Sequence, residues 1–461
     1  MMATIPETPL PSAADVGDLG VPSSRQRQPS RLALRGDLLD HTADPGLEAR
    51  DADGVRWRPD HWLLVEDGRI VGAQVADPGP GWERADHRGC LVLPGFVDTH
   101  VHSAQVDVLG AWGTQLLDWL ATHTFPAEQR MADAAHAHRI SSLFCDALLA
   151  HGTTAACVFP TVHAISAEAL FEAAHARGMR LVAGKVLMDR HAPAALCDDV
   201  DGAERDCREL IARWHGRGRI AYAVTPRFAP TSTDAQLAMA GRLLAETPGL
   251  YMQTHVAENT DEVRWVRELF PAARSYLDVY ERHGLLNERA ILAHGIWLDA
   301  ADRALLAERG AQIAFCPSSN LFLGSGLFDW AAAQAAGVAV SVASDVGGGT
   351  SLSMRRTLLD AYKVQACAGR RVTAHALLHA ATRGAARALG LANELGSLEP
   401  GAMADVCVWR WAGTPMAQRR QEVAQDLHDR LFAWITSGDE RDLVETRVAG
   451  RRVHGAGYAS A

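Results

Sequence analysis

Between Leu91 and Ser344 the chain alternates apolar runs of strand length with Ala-, Leu- and Arg-rich stretches of helical spacing. Eight runs stand out: Leu91–His102, Thr153–Phe159, Arg180–Met188, Ile220–Pro226, Leu250–His255, Ala290–His294, Ala311–Cys316 and Val338–Ser344. Several are almost continuously apolar, as strands covered on both faces are. Strand and helix in alternation build a parallel sheet, and eight such units close into a barrel. Outside this region the period changes. Arg31 to Gly36 and Trp62 to Gln74 alternate as short strands, the second interrupted by the turn pair Asp67-Gly68. Strand-like runs return at Ala404–Trp411 and Glu445–His454, after the turn-rich Gly396 to Gly401. The expectation is an α/β protein, a (β/α)8 TIM-like barrel over 94–395 with a small β-sandwich domain formed from both chain termini, 31–93 and 396–456. Residues 1–30, polar and containing Pro and Ser, read as a disordered tail without the apolar core of a secretory signal.

In a closed barrel the chemistry lies at the carboxyl ends of the strands, so the polar residues closing each run are the ones to weigh. The first run ends in Asp98-Thr99-His100-Val101-His102. Strand period two puts His100 and His102 on one face, where both imidazoles can reach one metal ion. The fifth run closes on His255, the sixth on His294 and the eighth is followed by Asp345. A single histidine in such a place is ordinarily a surface or hydrogen-bonded core residue. Four histidines and an aspartate at equivalent strand ends instead indicate a metal site. Two other pairs are set aside. His136 and His138 fall in a helical pattern, point to different sides and are expected to be solvated. His375 and His379 have chelate spacing on a helix but no evident third ligand, and are expected on an ordinary helix face.

Composition narrows the partners. The 461 residues carry a net charge of −10, which disfavours nucleic acid or an anionic membrane surface and leaves a small, weakly charged ligand. No stretch approaches the roughly 20 apolar residues of a membrane span. Eight cysteines without a CxxC pair indicate free thiols in a reducing cytoplasm. Lysine occurs only at Lys185 and Lys363, so the end of the fourth run, Thr225-Pro226-Arg227, offers none to bridge two metal ions, and one ion is expected.

Several segments carry a family resemblance. Pro94 to Glu128, with Asp98-Thr99-His100-Val101-His102, Gln105, Leu116-Leu117-Asp118-Trp119-Leu120 and Thr124-Phe125-Pro126-Ala127-Glu128, resembles the guanine deaminases of the amidohydrolase superfamily. Pro226 to Thr231, Thr254 to Asn259, Leu292 to Gly295 and Ser344 to Leu352 continue it, and the likeness spans about Arg31 to Gly455. The HxH pair marks only the superfamily, whereas Pro226-Arg227-Phe228 and Asp345-Val346-Gly347-Gly348-Gly349-Thr350-Ser351 are narrower. Carried over by motif, the resemblance makes His100, His102, His255 and Asp345 the ligands of one Zn2+ per chain. It makes Glu258 the proton shuttle and lets His294 touch the attacking water. Gln105, Arg227 and the Phe228 backbone would then hold the purine. It also implies a cytoplasmic homodimer. His191 stands where asparagine is the family's pattern, which puts a loop contact in question.

The residue types suit that chemistry. Three imidazoles and a carboxylate favour zinc, although iron or another divalent ion fits too, and a bound metal brings water to a nucleophilic state near neutral pH. Expelling an amine from a ring requires a mobile proton, and Glu258, three residues beyond His255, can carry it if the strand ends or bends between them. Arg227 and Gln105 can pair with the oxygen and a ring nitrogen of an oxopurine. Asp98 shares the HxH face as a support for the ligands or as a turn contact. The H-x-E and P-C-x-x-C pattern of the other zinc deaminase fold is absent. The expected reaction is hydrolysis of guanine to xanthine and ammonia. The alternatives are deamination of oxidised guanine, a pterin or a triazine, and a non-catalytic scaffold, which would ordinarily have lost ligands.

Overall fold

Two sheets organise the chain in the computed structural model, which describes residues 31–50, 53–113 and 115–455. The expected tail, 1–30, lies outside the described residues. The larger sheet is the barrel. Its strands are Phe96–His102, Thr153–Phe159, Arg180–Ala183, Ile220–Pro226, Tyr251–Val256, Ala290–His294, Gln312–Phe315 and Ala339–Val342, each parallel to the next, and Val186–Leu187 adds a short extension beside the fourth. The ring closes through the loop after the eighth strand: Asp345 N donates to His100 O at 2.9 Å and His102 N to Val346 O at 2.8 Å. Closure thus joins the HxH strand directly to the segment that carries the aspartate. Helices such as Ala134–Ala150, Ala164–Arg177 and Val200–Trp214 bury their apolar stripes on the outside of the sheet, in one continuous hydrophobic core.

The second sheet takes seven strands from both termini, in the order Arg451–Gly455, Leu443–Val448, Val406–Arg410, Glu83–Pro94, Arg31–His41, Val55–Glu66 and Arg69–Gln74. Asp67 and Gly68, with φ of 48° and 79°, make its tight turn between the last two. Its inner face packs Leu32, Leu34, Leu63, Val92, Val406 and Val408 into a separate small core. The apolar run Leu91–His102 therefore serves both sheets. Pro94 ends one strand and Gly95, whose Cβ would lie 2.2 Å from Thr154 Oγ1, lets the chain cross into the barrel. Two helices, Pro415–Glu422 and Leu427–Ser437, lie between the strands of the C-terminal segment, where no helix was expected.

The third run, expected as one strand, is broken at Gly184 and Lys185. A Cβ on Gly184 would sit 1.8 Å from the Ala223 carbonyl oxygen, a backbone atom that cannot swing aside. Gly184→Ala should therefore lower stability by about 1–3 kcal/mol, read as a fall in melting temperature of the purified protein. An unchanged melting curve would contradict this close packing of the third and fourth strands.

The two histidine pairs set aside above have structural surroundings. His138 is exposed and bonds Glu172 at 3.0 Å, but His136 is buried rather than solvated, its Nδ1 accepting from Arg139 at 2.7 Å. His375 and His379 are buried as well, because the helix Ala374–Ala380 lies under the N-terminal segment. There His41 Nε2 approaches His375 Nδ1 at 3.4 Å.

Candidate active site

A pocket opens at the mouth of the barrel, where the binding sites of closed (β/α) barrels lie. Its lining includes His102, Gln105, Arg227, Phe228, His255, Glu258, His294 and Asp345. Leu116, Trp119, Leu120 and Leu323 supply apolar walls suited to a flat ring. The residues assigned from sequence to metal binding, proton transfer and substrate therefore gather around one space, except that His100 is not in its lining but lies buried and edge-on to His102 and His255. His191 is not among the lining residues; it bonds the Pro230 carbonyl at 2.8 Å and packs on Trp265.

Four side chains point their donor atoms at a common centre. His102 Nε2 lies 3.3 Å from His100 Nε2 and 3.2 Å from His255 Nε2, while Asp345 Oδ1 lies 3.2 Å from His100 Nε2 and 3.3 Å from His102 Nε2. Ligands at bond lengths of about 2.0–2.1 Å on a tetrahedral ion stand roughly 3.3–3.4 Å apart, so these spacings fit zinc. The protonation pattern fits too. His255 Nδ1 faces the Arg227 carbonyl oxygen at 2.7 Å and must carry the proton, leaving the Nε2 lone pair toward the centre. Burial holds His100 and His102 below the ordinary imidazole range, and His255 well below it, so all three favour the neutral form a metal needs. Burial alone would raise the Asp345 carboxyl, yet the imidazoles of His100, His102 and His294 hold it well below the usual carboxylate range.

Among the described residues, His100, His294, Cys316 and Asp345 form a second, overlapping group of possible ligands. Burial pushes the Cys316 thiol well up, and its Sγ donates to the Ala314 carbonyl at 3.3 Å. A thiol kept protonated is a poor ligand, so the three-histidine set is the better fit. Lys185 is buried with Asp198 at 2.6 Å and belongs to neither group.

Backbone turns at the strand ends aim these side chains inward. His294 and Asp345 adopt φ of 71° and 50°, in the left-handed region, at a cost of order 1–3 kcal/mol each that the surrounding packing must offset. Ala257, φ 48°, reverses the chain directly after the fifth strand, which is the bend that lets His255 and Glu258 face one cavity. Asp98 proves to be a support: its carboxylate accepts from the Ser344 amide at 3.0 Å and from the Ser344 hydroxyl, fixing the residue before Asp345. His294 Nδ1 bonds Asn320 Oδ1 at 2.9 Å, and its Nε2 lies 3.4 Å from Glu258 Oε2 and 3.7 Å from Asp345 Oδ2.

Glu258 is buried, and its carboxyl is pushed up to about 8 by that burial and by the charge of Asp345. It therefore holds a proton at neutral pH and can give it up. Ser325 donates to Oε1 at 2.8 Å. Sequence reasoning missed Ser325, Asn320 and Glu262. The last caps the helix Thr260–Leu269 and accepts the amide protons of Glu258 and Asn259 at 2.9 and 3.1 Å. An Asn-x-x-Glu capping pattern at 259–262 was the available signal for it.

Comparison with known proteins then places the chain. The amidohydrolase family model matches residues 91–453, which takes in the barrel and the ligand cluster. The chain belongs to the amidohydrolase family. Among its amidohydrolase relatives, the guanine deaminase of Escherichia coli (strain K12) is 43% identical over 427 residues, covering 92% of this chain and 97% of that protein. The solved E. coli guanine deaminase aligns at a TM-score of 0.89 with 42% identity, over 92% of this chain and 100% of that one. The guanine deaminase of C. acetobutylicum, solved with guanine in its active site, aligns at 0.84 with 26% identity over 92% and 100%.

Proposed function

We propose that this amidohydrolase hydrolyses guanine to xanthine and ammonia, using one zinc ion held by His100, His102, His255 and Asp345. The observation that carries the reading is the division of a single cavity. Arg227 and Gln105 lie among its lining residues together with Glu258 and the His/Asp cluster. Bound there, the metal supplies Lewis acidity that makes water a nucleophile at neutral pH. The chain's own groups account for the protons. Asp345, ionised, accepts the proton that the attacking water releases. Glu258 delivers its proton to the ring nitrogen beside the attacked carbon, which makes the ring electrophilic. When the carbon–nitrogen bond breaks, the proton held by Asp345 passes to the amine, which leaves as ammonia, and the hydroxyl proton of the adduct returns to Glu258. One proton of the consumed water remains on the ring and the other departs, so the atoms balance. His294, between Glu258 and Asp345, is placed to orient the water. The eight cysteines are free thiols, which fits a cytoplasmic setting.

Arg227 supplies the test of substrate. Its guanidinium would donate to the purine oxygen, and a site built on such a bond rejects analogues lacking it. Adenine, with an amine in place of that oxygen, should be a poor substrate, because it leaves a buried donor unpaired at a cost of about 1–3 kcal/mol. Arg227→Ala should depress kcat/KM for guanine at least tenfold while zinc content stays constant. Equal rates on guanine before and after the substitution would contradict the assignment.

A further inference from the structure

The Thr124–Glu128 segment was read only as a family signature, yet it ends in a fully buried carboxylate that the reaction does not use. Arg227 Nη1 donates to both Glu128 oxygens, each at 2.8 Å, and Gln105 Nε2 donates to Oε1 at 3.1 Å. Phe125, one helical turn earlier, lies under the guanidinium, 5.7 Å from its carbon to the ring centre. The Gly347 amide donates to Gln105 Oε1 at 3.2 Å. These bonds fix two orientations. Gln105 has an acceptor at its nitrogen and a donor at its oxygen, so its amide can face only one way and offers the cavity an N–H rather than a carbonyl. Arg227 is anchored through Nη1, with Nη2 and Nε given no partner among the described residues.

We infer that Glu128 is a positioning residue for specificity: it holds Arg227 and Gln105 so that both present N–H donors, and selects rings with an oxygen and an unprotonated nitrogen on one edge. Its negative charge also offsets the buried guanidinium, which suits the site to a neutral base. A buried ion pair is weak evidence of stabilisation in itself. What distinguishes this one is that its other contacts run to the second specificity residue. The inference rests on the assignment of Arg227 above.

The test compares kcat/KM for guanine with that for 2-aminopurine, which has the amine to be removed but lacks the ring oxygen. Zinc content and melting temperature are measured alongside. Glu128→Gln should lower the guanine to 2-aminopurine ratio by about ten- to a hundredfold with zinc unchanged. In an Arg227→Ala background the same substitution should move the ratio no more than about twofold, since the partner of the ring oxygen is gone and Gln105 would face a ring nitrogen that both bases carry. Glu128→Asp, which keeps the charge but withdraws it by one methylene, should shift the ratio the same way and serves if the glutamine variant does not fold. A lower melting temperature with an unchanged ratio in the Glu128 variants, while Arg227→Ala collapses it, would overturn the role given to Glu128 alone. A ratio unmoved by Arg227→Ala would overturn the reading of Arg227 and the inference built on it.

Discussion

Asp345→Ala and His100→Ala are each expected to yield a folded protein with little bound zinc and no measurable ammonia release. The four donor atoms form a nearly regular set of edges, 3.2–3.3 Å between neighbouring pairs, and the overlapping set with His294 and Cys316 itself contains both His100 and Asp345, so either substitution breaks it as well. Removing Asp345 also removes the anion beside His100 and His102, whose charged forms burial already disfavours. Metal analysis by plasma emission, with circular dichroism for the fold, reads both effects. A double variant retaining one zinc per chain would defeat the ligand assignment.

Glu258→Gln should keep fold and zinc but lose turnover on the order of a hundredfold or more. Glutamine preserves shape and can still accept from Ser325, whose hydroxyl lies 2.8 Å from the present carboxylate. It cannot transfer a proton. The acid is held protonated near neutral pH by burial first and by Asp345 second, so the variant removes the group without disturbing the cluster. Single-turnover rates with bound guanine isolate this step from product release. A rate near that of the parent protein would mean that another group moves the protons.

The parts of this account legible in sequence were those with a short-range signature. Period-two spacing paired His100 with His102, and apolar runs located the strands to within a few residues, because buried parallel strands exclude polar side chains. The polar residues at the ends of the first, fifth, sixth and eighth runs then marked the cavity. What escaped was tertiary. Glu128 and Arg227 stand 99 positions apart, and nothing local to either shows that they meet. Asn320 and Ser325 act through single hydrogen bonds to His294 and Glu258, a role that any surface polar residue would match on paper. His136 looked solvated because helical spacing alone does not report the Arg139 side chain that satisfies it. The break between Leu91–Pro94 and Phe96 was hidden by an unbroken apolar run, since one run can serve two sheets when a glycine permits the crossing.

The most direct test of the central claim is ammonia release by the zinc-loaded protein from a panel of guanine, 8-oxoguanine, a pterin, a triazine, cytosine and adenine. The account predicts that guanine gives much the highest kcat/KM, with xanthine formed in equal amount, and that adenine and cytosine are poor. Inert guanine beside rapid turnover of the pterin or the triazine would leave the metal chemistry standing and contradict the assignment of substrate.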